Sequence, residues 1–271
     1  MVELSDITYS REESIAAVRN FYHLLTQLYM KESNVIEPPH GGWPSITSET
    51  MKGVGKSDEV VALLRNLPYI RRPDDPRYQA EGVPGMDFVD WQADCRDIAI
   101  GTANPENCKS FSEDVAISED VPSTVIGLTY GGLWNSVYLL DTKYGIVHWR
   151  DCPFQVWSHY AEDLVVDDWE EYVPENELEW REECKTWSIV KFFEILKDQY
   201  LKLHYIPINP RKVLIEDTES DPDDMLSMLQ AVYREHGWPD LDRYHKEECL
   251  KAVQKELNEH YPDYASDRGD E

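Results

Sequence analysis

The chain is poor in positive charge. Its 26 lysines and arginines face 53 aspartates and glutamates, leaving a formal net charge of −27. A field of that sign repels DNA, RNA and anionic lipid and attracts basic partners. No apolar run approaches the ~18 residues a membrane span needs. The start, "MVELSDITYSREES", has neither the basic residues nor the apolar stretch of a secretory leader, and it is too acidic for a mitochondrial one. Cysteine is also scarce. The five thiols, Cys95, Cys108, Cys152, Cys184 and Cys249, are odd in number and nowhere in C-x-x-C spacing. That argues against a disulfide framework or a zinc ribbon. Reduced thiols in the cytoplasm or nucleus are the simpler expectation.

Catalytic strings are missing too. The sequence contains no G-x-S-x-G, H-E-x-x-H or G-x-G-x-x-G, and its acidic run "EDTESDPDD" lacks the spacing of a calcium loop. One stretch, "GVGKS" at 53–57, ends like a phosphate-binding loop. Such a loop needs a glycine five positions before Gly55, and that position is Thr50. The stretch reads instead as a tight turn in which Ser57 or Asp58 caps a helix. Nothing here implies a cofactor.

Aromatic residues are plentiful, with nine Trp and sixteen Tyr among 271 residues. That supplies a core for one α+β domain over 1–262, ahead of a frayed acidic tail at 263–271. Ser10 and Glu13 form a capping-box pattern before a helical apolar stripe from Ile15 to Tyr29. "STVIGLTY", "NSVYLLD" and "YGIVHW" read as strands of an antiparallel or mixed central sheet. "FQVWSHY" at 154–160 is a further strand candidate. Residues 71–121 begin rich in proline and charge and read as a surface excursion. The acidic stretch 162–183 is expected at the surface, anchored by Trp169 and Trp180. Ile189, Phe192, Phe193, Leu196, Tyr200 and Leu203 then mark an amphipathic helix. A helical hairpin at 221–260 closes the domain, with Asp221 as N-cap candidate and Gly237 ending its first helix.

Two constellations bear weighing for chemistry. Asp87, Asp90, Asp94 and Asp97 could share a helix face and hold a divalent cation; equally, they could be the solvated side of an amphipathic helix. His148, Asp151, Cys152 and His159 lie close in sequence. A thiolate there could be activated by an imidazole, or the set could bind zinc. Without a recognised ligand spacing, packing and turn roles compete, and a place in the core is the alternative for His148 on a strand.

"VPSTVIGLTYGGLWNSVYLLDTKYGIVHWRDCP", followed after an acidic stretch by "WSIVKFFEILKDQYLKL", resembles the SUKH superfamily of Smi/Knr-type regulators and toxin-immunity proteins. Leu140, Asp141, Gly145 and Val147 match that family's hairpin, and Phe192 and Leu196 match its helix stripe. The flanking "SDEVVALLRNLPYI" and "YREHGWPDLDRYHKEECLKAV" look more like uncharacterised proteins of filamentous fungi. The resemblance covers roughly 123–203 and departs from the family in the first half, where Leu67-Pro68 stands at a helix end and 71–121 is additional. It implies a non-enzymatic α+β scaffold that binds a basic or disordered protein. The competing expectation is an enzyme using the His148, Asp151, Cys152 and His159 set.

Overall fold

The computed structural model describes residues 2–130, 136–166, 168–216 and 223–265. Helix α1 (Arg11–Leu28) begins where Ser10 accepts a hydrogen bond from the Glu13 N–H, satisfying one of the donors that a helix start leaves open. Its stripe of Val18, Phe21, Leu25 and Leu28 is buried. Strand β1 (Val35–Ile36), the short helices α2 (Ser48–Met51) and α3 (Asp58–Leu64), and strand β2 (Tyr69–Ile70) follow, with β2 antiparallel to β1. Between α2 and α3 lies the stretch that ends like a phosphate loop. Gly55 there has φ of 75°, a conformation that costs glycine little, and Ser57 caps α3 by accepting from the Val60 N–H. Lys56 turns inward, and its ammonium lies 2.6 Å from the Glu113 carboxylate with both side chains fully buried. A lysine so committed is not available to a phosphate.

The 71–121 segment is not an excursion. It contains α4 (Trp91–Ala99) and α5 (Pro105–Glu113), and it places Val83, Phe88, Val89, Trp91 and Cys95 in the core. Its prolines and charges lie near its start, while the apolar residues further along supply the burial.

The central sheet comprises β3 (Val125–Gly127), β4 (Tyr138–Asp141), β5 (Ile146–Trp149) and β6 (Lys185–Ser188) in that spatial order, all pairs antiparallel. The first three are the expected strands. "FQVWSHY" is helical instead: α6 (Phe154–His159) starts after Pro153 and buries only Val156, leaving Phe154 exposed. Helix α7 (Glu175–Glu183) precedes β6 within the acidic stretch, and α8 (Ile189–Leu201) follows β6 directly, capped by Ser188. Strands β7 (Tyr205–Pro207) and β8 (Val213–Ile215) form a separate ribbon. Helices α9 (Asp223–Glu235), α10 (Lys246–His260) and α11 (Pro262–Ala265) end the described chain. The Asp221 cap and residues 266–271 of the tail lie outside the described residues.

Strand alternation sorts the sheet into two faces. Ile126, Tyr138, Leu140, Val147, Trp149 and Trp187 face the main core, where α1 and α8 pack. Phe192 meets Tyr138 edge-on at 4.9 Å and Trp149 at 5.8 Å between ring centroids, an arrangement aromatic rings favour. The C-terminal hairpin belongs to the same core. The Tyr244 hydroxyl donates to the Leu28 carbonyl and the Tyr233 hydroxyl to the Pro207 carbonyl, each at 2.7 Å.

Candidate functional site

The second face of the sheet carries charge. Leu139 pairs with His148 across β4 and β5, and His148 pairs with Thr186 across β5 and β6, so alternation sends all three side chains to this face with Asp141 and Ile146. Helix α7 lies over them and inserts Trp180 and Arg181, both buried. The Arg181 guanidinium donates from Nε and one terminal nitrogen to Glu177, at 3.0 and 2.7 Å. Its other terminal nitrogen donates to Asp141 at 3.0 Å and to His148 Nε2 at 2.8 Å. Trp180 stacks on the guanidinium carbon at 4.4 Å, with Trp169 at 5.3 Å, contacts that favour a cation over an aromatic face. Asp141 also accepts the Lys143 N–H at 2.8 Å.

This geometry fixes the state of His148. Arginine only donates, so Nε2 must accept and the ring proton sits on Nδ1, which donates to Thr186 Oγ1 at 2.9 Å. Burial, with the Arg181 charge adding to it, holds the imidazole pKa well below its usual value, so the ring is neutral. Burial likewise raises the Asp141 carboxyl, partly offset by Arg181. Arg181, Asp141 and His148 are buried and only Glu177 keeps slight exposure, an arrangement suited to cohesion. It fastens α7 and the acidic stretch to the sheet.

What it fastens is a ridge. Over 162–183, Trp169 and Trp180 point inward, while Glu162, Asp168, Glu170, Glu171, Glu175, Glu179, Glu182 and Glu183 are exposed. Val165 donates its N–H to the Thr186 carbonyl and Val166 donates to Val2. The Val165 bond covers part of the β6 edge, which would otherwise present open donors and acceptors, and Val2 pairs with Val165 in turn.

The nucleophile candidates do not assemble. His148 is sealed beneath the sheet, with both nitrogens occupied. Cys152 packs against the main core, on the opposite face. Its sulfur lies 3.8 Å from the Pro153 carbonyl oxygen, and burial pushes its thiol pKa far up, the reverse of what a nucleophile needs. Asp151 is exposed at a turn with φ of 55°, and His159 is exposed beside Lys202. All five cysteines are free, and burial raises every one, Cys108 and Cys249 to about 11.

The aspartate set is an arginine clasp rather than a cation cage. Helix α4 starts at Trp91, so Asp87 lies before it and Asp90 is its N-cap, accepting the Ala93 and Arg72 N–H groups at 3.0 Å. Asp94 receives Arg72 at 2.5 Å and also the Tyr130 hydroxyl, while Asp97 takes the other arm of Arg72. Among the described residues, the side chains that come together at metal-ligand spacing are Glu256, Glu259 and His260 on α10, an exposed acidic group of a kind common without an ion.

Arg181, Glu177 and Thr186 escaped the sequence reading. The legible signal was Glu177 and Arg181 four residues apart on either side of Trp180. No protein family, curated protein or solved structure matches the chain.

Proposed function

We propose that the chain is a non-enzymatic interaction scaffold of SUKH type, acting in the cytoplasm or nucleus, whose acidic ridge at 162–183 captures a basic or disordered protein segment. The observation that carries this reading is the ridge itself: eight exposed carboxylates on a segment held rigidly by Trp169, Trp180 and the buried Arg181 network. A rigid array of one sign concentrates field at one place, and charge complementarity of this kind chiefly sets encounter rate and partner choice. Three further observations support it. The hairpin residues Leu140, Asp141, Gly145 and Val147 lie on β4, the turn and β5, and Phe192 and Leu196 lie on the buried face of α8, as the resemblance expects. Of the residues an enzyme would use, His148 is buried with both nitrogens occupied, Cys152 lies on the opposite face of the sheet, and His159 stands exposed beside Lys202. No helix among the described residues is long and apolar enough to cross a membrane.

The test is binding of a fluorescent lysine- and arginine-rich peptide at rising salt. Affinity should fall steeply with salt and drop at least tenfold on combining Glu175→Lys, Glu179→Lys and Glu182→Lys. Reversing exposed Glu12 and Glu49 elsewhere should change it little. Equal losses from both sets would reduce the ridge to one part of a diffuse charge, and no binding at low salt would sink the proposal.

A further inference from the structure

Against the acidic background, one groove is basic. A cleft of about 780 Å³ runs between α10 and the loops after α1 and β7, within the ~300–1,000 Å³ typical of small-molecule sites. Lys246, Lys251 and Lys255 of α10 line one wall and Lys31 the other, against Glu32 and Glu247. The groove is therefore net positive in a chain of net charge −27.

The four lysines differ in state. Lys246 donates to the Thr26 and Met30 carbonyls at 2.8 and 3.1 Å, which fixes its charge at the C-terminal end of α1. Lys31, Lys251 and Lys255 are exposed and make no ion pair among the described residues. Some cations elsewhere, Arg11, Arg19, Arg72, Lys191 and Lys202 among them, meet carboxylates; in this cleft three ammoniums gather without one. Lys251 and Lys255 stand one helical turn apart, and Lys31 approaches from the facing loop. The floor is apolar, with Tyr29, Pro210 and Leu250, and Gln254 is held in place by donating to the Ile208 carbonyl at 2.6 Å.

We infer that this groove binds a small molecule carrying two or more phosphate groups. Ammonium groups are compact point charges of a kind that binds phosphate. Each phosphate monoester brings ~1.5–2 negative charges, so two of them answer the lysines of both walls. The net negative field does not forbid this. Screening at physiological salt acts over ~8 Å, so the field inside the groove is set by its own lining, four lysines against Glu32 and Glu247, while Glu248, Glu256 and Glu259 of α10 lie outside that lining. A long nucleic acid would extend beyond that range and meet the acidic surface.

Calorimetric titration of the full chain with inorganic tripolyphosphate and with inositol hexakisphosphate tests the inference, with citrate as a carboxylate of similar charge. Saturable 1:1 binding of at least one phosphate probe is expected, with citrate at least tenfold weaker. Combining Lys251→Glu with Lys255→Glu, both exposed and outside the core, should weaken binding at least tenfold, and Lys31→Glu should do so independently, with unchanged thermal unfolding. Absence of binding in the unaltered chain, binding that survives the lysine reversals, or citrate binding as well as phosphate would each overturn it. None of these outcomes bears on peptide capture by the ridge, which lies on other residues.

Discussion

Removing the Arg181 guanidinium strands the carboxylates of Asp141 and Glu177 beneath the sheet, and such uncompensated charge is costly. Arg181→Met should lower the free energy of unfolding by about 3–5 kcal/mol, measured by urea denaturation. Replacing Asp141, Glu177 and Arg181 together by Leu, Leu and Met should cost less than the single change, because the desolvation of all three charges is then no longer incurred. A triple variant less stable than the single one would show that the network contributes net attraction. At His148 the bond pattern predicts an imidazole protonated on Nδ1 that does not titrate between about pH 8 and pH 6. Nitrogen-15 NMR of the labelled ring reads both properties, and an Nε2-protonated ring would contradict the Arg181 contact. Gly127 is required for another reason. A methyl group added there would meet the Ser112 carbonyl oxygen at 1.9 Å, so α5 sits on β3 only because this strand residue has no side chain. Gly127→Ala should cost about 1–3 kcal/mol or more by overpacking, with the largest rise in hydrogen exchange within α5.

Helix α7 shows how far an element's place can differ from its sequence signal. With five glutamates among its nine residues, ENELEWREE, it resembles a solvated segment, yet Trp180 and Arg181 pin it to the sheet. Trp180→Ala should therefore loosen the ridge before the rest of the fold. The expected result is faster amide exchange over 175–183 with α8 still protected, and uniform loss of protection would mean that α7 is integral to the core rather than docked on it. The strands β3, β4 and β5 and helices α1, α8 and α10 were legible because each carries several apolar residues at its own period. β6 was not: "KTWS" has one large apolar residue, and its strand state comes from pairing with β5. The alternation in "FQVWSHY" suggested a strand, but no neighbouring strand takes it up, and α6 buries one side chain. The candidate site followed the same rule. The tryptophan anchors could be read from the acidic stretch, whereas the Arg181–His148 contact joins residues 33 apart, and only tertiary packing brings them together.

At the scale of the whole molecule, charge and burial combine in the response to acid. Burial raises the Glu81 and Glu113 carboxyls to about 7 and Asp87 to about 6; Lys56 partly offsets the shift at Glu113. A carboxyl with a raised folded-state pKa binds its proton more tightly in the fold than in the unfolded chain. Between the unfolded value near 4 and the folded value, the native state therefore holds more protons, and stability rises as pH falls. His148 works the other way: neutral in the fold, it costs stability once pH drops below about 6.5, where the unfolded ring takes up a proton. These carboxyls, with Asp141, Asp90 and Asp94, which burial also raises, oppose one imidazole and the buried Lys56 ammonium, which burial lowers, and protonation also relieves the self-repulsion of a −27 chain. The melting temperature should thus increase by several degrees on going from about pH 8 to pH 6, each carboxyl contributing on the order of 1–3 kcal/mol across its window. Glu81→Gln isolates one term. The Glu81 carboxylate accepts the Val213 N–H at 2.9 Å, and a glutamine oxygen can keep that bond without the charge. The variant should be more stable than the parent at pH 8, by a margin that narrows but persists at pH 6, and show a flatter profile by calorimetry. A parent melting temperature that is flat or falls over this range would mean that the buried carboxyls are solvated in solution. A variant with the parent's slope would remove Glu81 from the account.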